Sequence, residues 1–351
     1  MSRFWSDIAR SLTPYVPGEQ PRAQKLVKLN TNEFPYPPSP QALSVLAETS
    51  GDALRLYPDP ESVELRKGIA EFYGLSADQV FVGNGSDEVL AHAFLGLLKQ
   101  DKPILFPDIT YSFYPVWCEL YGVQYQQVPL TESFEVDAND YDRDNGGIII
   151  PNPNAPTGIA MDLDGVREVL TANADRVVII DEAYVDFGAA SAVSLIDEYD
   201  NLLVTQTLSK SRALAGLRVG IAMGQAPLIE GLSRVKNSFN SYPLGVVAQR
   251  MALAAFQDEA YFRKTCDQVI ATREQLTGSL AELGFEVLPS SANFVFARHP
   301  SRSGKEIFEA LREKQVIVRY FDKPRINEYL RITVGTEVQC EALLAALKEF
   351  L

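Results

Sequence analysis

Short, almost uninterrupted apolar runs recur along the first two thirds of this chain, at residues 80–82, 103–106, 123–128, 148–150, 177–180, 202–205 and 219–223. Runs of this length, apolar throughout rather than alternating, read as strands covered on both faces. Helical patterns lie between them. Apolar positions are spaced for a helix over 62–73 and 88–98, and the stretch 114–121 is an aromatic-rich helix. Strand and helix in alternation predict an α/β unit, a mostly parallel sheet flanked by helices. From about Leu253 the rhythm changes. A long helical pattern over 261–283 stops at Gly284, where a C-cap glycine belongs. Short runs at 285–288, 293–297, 316–319 and 330–334 then mix with helices over 304–314 and up to Leu351. They predict a smaller α+β unit with an antiparallel or mixed sheet. The expected organisation is an arm over 1–35 packing partly on the small unit, a large unit over 36–250 and a small one over 251–351.

Composition narrows the function. A formal net charge of −14 over 351 residues disfavours nucleic acid and anionic membranes as partners. The start of the chain lacks an apolar signal core and no run is long enough to span a bilayer, so the cytoplasm is the expected compartment. Two histidines, His92 and His299, are too few for a multi-histidine metal centre or a Ser-His-Asp triad, and no metal is expected. His92 reads as a core or helix-face residue. Cys118, Cys266 and Cys340 are far apart, form no metal or redox motif, and read as packing residues in a reducing compartment.

The candidate chemistry sits at strand ends and in loops, where open α/β sheets bind ligands. Thr207-Leu208-Ser209-Lys210 puts a lysine among small and hydroxyl residues after a strand, and Arg218 follows two helical turns later. Lys210 could instead be one more solvated lysine, but its strand-to-helix turn and small neighbours argue otherwise. Asp181 ends the run 176–180 and opens Asp181-Glu182-Ala183-Tyr184. A carboxylate there is either paired with a cation or a helix N-cap. Gly83-Asn84-Gly85-Ser86-Asp87 follows a strand and opens a helix, which offers backbone N–H groups to a phosphate, or is a plain glycine turn with an Asp cap. The rigid loop Pro151-Asn152-Pro153-Asn154-Ala155-Pro156-Thr157-Gly158 contains X-Pro bonds that could be cis. Tyr111 is either a core tyrosine or a ring on which a ligand stacks. An amine, anion-binding groups and a strand-end carboxylate are what a pyridoxal phosphate (PLP) site requires.

With these motifs in this order the chain resembles the fold-type I PLP-dependent aminotransferases over nearly its whole length. The general motifs are Asn-Pro-Asn-x-Pro-Thr-Gly, Asp-Glu-Ala-Tyr and Ser-Lys-x-x-x-Leu-Ala-Gly-Leu-Arg. Leu12-Thr13-Pro14-Tyr15, Leu29-Asn30-Thr31-Asn32-Glu33, Tyr57-Pro58-Asp59 and Leu330-Arg331-Ile332-Thr333-Val334-Gly335 are similar to the histidinol-phosphate branch of that family. The resemblance implies that Lys210 attaches PLP, Asp181 pairs with its ring nitrogen, and Tyr184 bonds its ring oxygen. It implies phosphate binding by Gly85, Ser86 and Asp87 at the helix start, with Ser209 and Arg218, and stacking by Tyr111. Tyr57 would reach the phosphate in a neighbouring subunit, so a homodimer is expected. Tyr15, Asn32, Arg319 and Arg331 would bind small-molecule substrates, histidinol phosphate and glutamate or 2-oxoglutarate. Many members carry asparagine directly before Pro-Thr-Gly. Here Ala155 stands there, and either Asn154, one residue earlier, is the substitute expected to reach the ring oxygen, or Tyr184 carries that oxygen alone. An aromatic amino acid aminotransferase, or a lyase that decarboxylates a phosphorylated amino acid, would share Lys210 and Asp181.

Overall fold

The structure, a computed structural model, describes residues 2–15, 19 and 26–351; the remainder of the 1–35 arm lies outside the described residues. The chain opens with helix α1 (Asp7–Ser11) and strand β1 (Val27–Lys28). Helices α2 (Pro40–Glu48), α3 (Gly51–Leu54) and α4 (Val63–Tyr73) lead to β2 (Val80–Asn84), from which α5 (Gly85–Ala93) starts directly. Then follow β3 (Ile104–Pro107), α6 (Tyr114–Tyr121), β4 (Tyr125–Val128), β5 (Ile148–Pro151), α7 (Leu163–Ala172), β6 (Val178–Asp181), β7 (Leu202–Thr207) and β8 (Val219–Gly224). Helices α8 (Ala226–Phe239), α9 (Val246–Gln257) and α10 (Glu259–Glu282) come next. The chain ends with β9 (Glu286–Val287), β10 (Phe294–Arg298), α11 (Gly304–Glu313), β11 (Val316–Ile317), β12 (Arg319–Tyr320), β13 (Tyr329–Thr333) and α12 (Glu337–Phe350).

Strands β2 to β8 form one seven-stranded sheet in the order β2-β8-β7-β6-β5-β3-β4. All neighbours are parallel except β8, which runs antiparallel to β2 and β7. Side chains alternate between its faces. Ile148, Ile150, Val178, Ile180, Leu202 and Val204 join one buried cluster, while Ile149, Ile179 and Leu203 join another on the opposite face. Burial on both faces is the physical reason for the unbroken apolar runs. The smaller sheet has the order β12-β13-β10-β9 and is antiparallel, with its own core including Leu276, Val295, Leu330 and Leu343. The N-terminal arm joins this second unit: β1 pairs in parallel with β11, and Leu29 packs in the same core. His92 is buried on α5, and burial lowers its pKa to about 4.

Candidate active site

The sheet topology collects the candidate residues along one edge. Strands β5, β6 and β7 end there, and β2 ends there too. Because β8 runs the other way, its first residues lie beside those ends: Asn84 pairs with Val219 and Thr207 with Gly220. Arg218, the residue before β8, therefore meets the start of α5. Its backbone is left-handed, φ 54°. Its Nη2 donates to Asp87 Oδ2 at 2.9 Å and its Nη1 to Ser209 Oγ at 3.3 Å. Two glycines permit this approach. A Cβ on Gly85, whose φ is 78°, would lie 2.4 Å from Arg218 Nη2, and one on Gly220 would lie 2.3 Å from the carbonyl carbon of Gly85. The first N–H groups of a helix have no partner within it. Those of α5, together with Arg218 and the Ser86 and Ser209 hydroxyls, make a cradle suited to a phosphate.

Asp181 is buried at the end of β6, in register with Pro151 and Thr205. Its oxygens accept from Tyr114 Oη at 2.8 Å and Thr205 Oγ1 at 3.2 Å. Burial pushes its pKa up to about 6; the two hydroxyl bonds oppose the rise and the charge of Asp87 adds to it. Among the described residues no basic group lies within ion-pair distance of Asp181. The site thus holds a buried carboxylate that lacks a cation, which is costly unless a ligand supplies one.

Lys210 follows β7 in the turn and points into the same space. Its Nζ donates to the Thr31 carbonyl at 3.2 Å and lies 5.7 Å from the centre of the Tyr184 ring. Burial lowers its pKa; the Arg331 and Arg218 charges lower it further, against Tyr184 and Glu33. Tyr184 packs edge-on against Phe294 with ring centres 5.1 Å apart, and its hydroxyl accepts from Asn32 Nδ2 at 2.9 Å. Tyr111 donates to Asp87 Oδ1 at 3.1 Å. Ser86, Asp87, Tyr111, Asp181, Tyr184, Ser209, Lys210 and Arg218 enclose a chamber of about 150 Å³.

A second, larger cleft of about 400 Å³ shares Tyr111, Ala155, Tyr184 and Lys210 with the chamber and runs outward past Tyr15, Asn32, Arg319 and Arg331. Arg319 on β12 and Arg331 on β13 are directly opposed in register. Like charges directly opposed across a sheet are destabilising. Among the described residues neither is ion-paired with a carboxylate, whereas nearby Arg325 is bridged to Asp108 at 3.3 Å. Arg331 Nη2 donates to the Asn30 carbonyl at 3.1 Å, its Nε is buried without a partner, and burial lowers its pKa. Two unneutralised arginines at the mouth are fitted to anionic substrates.

Two expected residues stand apart. Tyr57 is 84% exposed and, among the described residues, its ring packs against Tyr242 with ring centres 4.8 Å apart. Asn154 does not line the chamber: its Nδ2 donates to the Ile109 carbonyl and to Thr157 Oγ1, both at 3.0 Å, so the expectation that it replaces the missing asparagine is corrected. Its loop does hold two cis peptide bonds, at Asn152-Pro153 and Ala155-Pro156. Tyr114, Thr205 and the Thr31 carbonyl contribute to the site and were not singled out in the sequence. Tyr114 was visible only as part of an aromatic helix, and a backbone carbonyl carries no side-chain signal at all.

The fold thus sets a lysine and a carboxylate together at the strand ends of a mostly parallel sheet. Residues 24–347 match the family model described as aminotransferase class I and II, and the chain belongs to that family. It is 62% identical over 353 residues to histidinol-phosphate aminotransferase 2 of Dechloromonas aromatica, covering 99% of each chain. It is 58% identical over 351 residues to histidinol-phosphate aminotransferase 1 of Hydrogenovibrio crunogenus, covering 100% of this chain and 99% of that one. In fold it is similar to the crystal structure of histidinol-phosphate aminotransferase from Sinorhizobium meliloti in complex with pyridoxal-5'-phosphate. There the TM-score is 0.88 at 20% identity, with 100% and 99% of the two chains covered.

Proposed function

We propose that this chain is a PLP-dependent histidinol-phosphate aminotransferase that moves an amino group reversibly between glutamate and imidazole-acetol phosphate, yielding 2-oxoglutarate and histidinol phosphate. One observation carries the reading: a half-buried lysine and a buried, cation-free carboxylate face one chamber that opens on a cleft with two unpaired arginines. The residues fit the cofactor. Asp181 offers a protonated ring nitrogen its counter-charge, the glycine-lined cradle at Gly85 with Ser209 and Arg218 suits the phosphate, and Tyr111 offers a ring face.

When bound, PLP supplies a carbonyl that takes up the amino nitrogen and a ring that draws electrons from the adjacent carbon. Lys210 Nζ is the group placed to attach it and then to take and return the proton at the substrate carbon bearing nitrogen. That work requires an uncharged amine, and burial together with Arg331 and Arg218 favours the uncharged form. Asp181 holds the proton of the ring nitrogen in place. Arg331 clamps the carboxylate of the amino donor, while Arg319 and Tyr15 bind the substrate phosphate. A homodimer in the cytoplasm completes the reading. Leu54, Leu56, Tyr57, Phe239 and Tyr242 are exposed apolar residues near one another in sequence or contact, a surface suited to a second copy.

The test is turnover with purified protein. Histidinol phosphate plus 2-oxoglutarate should give glutamate without carbon dioxide. Arg331→Ala should raise KM for glutamate on the order of a hundredfold, the usual loss for one charge-assisted clamp. Carbon dioxide release, or an unaltered KM in Arg331→Ala, would contradict the assignment.

A further inference from the structure

Asn32 is 1% exposed, yet its backbone is left-handed at φ 53°. Outside glycine, asparagine is among the few residues that adopt this conformation readily. Every polar group of the residue is engaged. Its N–H donates to Thr333 Oγ1 at 2.9 Å, and Thr333 Oγ1 donates back to Asn32 Oδ1 at 3.0 Å. Its carbonyl accepts from Asn293 Nδ2 at 3.1 Å, and its Nδ2 donates to the Tyr184 hydroxyl at 2.9 Å.

The direction of this chain follows from counting hydrogens. Thr333 has one hydroxyl hydrogen. Its oxygen already accepts from the Asn32 N–H, so the hydrogen goes to the carboxamide and the atom facing it is Oδ1. The NH2 end then faces Tyr184, whose oxygen accepts. Among the described residues the Tyr184 hydroxyl donates to nothing, and Tyr184 lines the chamber.

We infer that Asn32, locked by Thr333, is a positioning residue that fixes Tyr184 as a hydrogen-bond donor into the chamber. The inference rests on the cofactor reading above and deepens it: the acceptor is the oxygen beside the carbonyl of bound PLP. A single donor oriented from behind takes over from the asparagine that Ala155 replaces. Thr333 sits two residues from Arg331 on β13, so one strand carries both the substrate clamp and the lock. The groups that act electrostatically on Lys210 are Tyr184, Arg331, Glu33 and Arg218. A hydrogen donated to the cofactor oxygen draws its charge away from the neighbouring Lys210 nitrogen, which then holds its own proton less firmly. Loss of the donor raises the pH at which that proton leaves.

The experiment is a pH titration of the visible absorbance of the resting holoenzyme, without substrate, together with the Kd for PLP. Asn32→Gly removes the carboxamide and tolerates the left-handed backbone. Thr333→Val removes the hydroxyl and keeps the shape, and carries the same prediction should Asn32→Gly not fold. Asn32→Gly and Tyr184→Phe should each raise the midpoint by about one pH unit and weaken PLP about tenfold, the scale of one hydrogen bond to a charged group. The double variant should go no further than Tyr184→Phe alone. Additive shifts, or an unmoved midpoint in Asn32→Gly with turnover reduced, would overturn the inference. Absence of any visible band when the unaltered protein meets PLP would overturn the cofactor reading, and this inference with it.

Discussion

At the scale of the residue, two groups in the chamber, buried Asp181 and half-buried Lys210, are held away from their ordinary protonation. Asp181 is raised from 3.8 to about 6, chiefly by burial. A folded-state value above the unfolded one means that its contribution to stability is present below pH 3.8 and lost as pH rises through about 6. A cationic ring nitrogen partners the ionised form, so the rise in Tm produced by PLP should be larger at pH 7.5 than at pH 5. In Asp181→Asn that extra rise should be absent. The same pH dependence in both proteins, measured by thermal melts, would refute the pairing. Lys210 and Asp181 were legible in the sequence because an ionisable residue beside an apolar strand has few inexpensive fates. Asn154 departs from the expectation for a physical reason: neighbours in a loop can face opposite ways, and its amide nitrogen donates to the Ile109 carbonyl and the Thr157 hydroxyl.

At the scale of the element, function depends on where α5 meets β8. The apolar runs located the strands of the large sheet to within two residues or so, since burial on both faces leaves a plain signal. They could not give direction. That β8 is antiparallel, which brings Arg218 to the start of α5, is set by pairing rather than by composition. The apolar run 316–319 has the pattern of one strand but forms two, β11 and β12, which join different sheets. Nor was β1 legible, because two residues carry no periodicity and its partner is almost 300 residues away. The contact also makes a prediction. In Gly85→Ala the new methyl would lie 2.4 Å from Arg218 Nη2 on a left-handed backbone. Displacing Arg218 should weaken PLP at least about tenfold, the loss of a charge-assisted bond. Equilibrium titration reads this directly, and wild-type affinity would show that the cradle does not hold the phosphate.

At the scale of the whole molecule, segments far apart in sequence meet at the cleft: Tyr15 and Asn32 from near the start, Lys210 from the turn after β7, and Arg319 and Arg331 from β12 and β13. The change of rhythm in the sequence reflects the smaller antiparallel sheet that follows α10, whereas α9 runs across residue 250 and packs Met251, Ala252 and Phe256 in the core of the large sheet. The proposed second copy, expected from Tyr57, would cover an exposed patch of Tyr57, Tyr242 and the neighbouring leucines. Sedimentation at micromolar concentration should give twice the chain mass, and Tyr242→Glu together with Leu56→Glu should shift it toward the monomer. A monomer in the unaltered protein would remove the proposed second copy.

The central claim is that one amine carries the cofactor. Protein loaded with PLP, treated with borohydride to make the attachment permanent, digested and analysed by mass spectrometry should show the added mass on the peptide containing Lys210 alone. The mass on another lysine, or on none, would contradict the account.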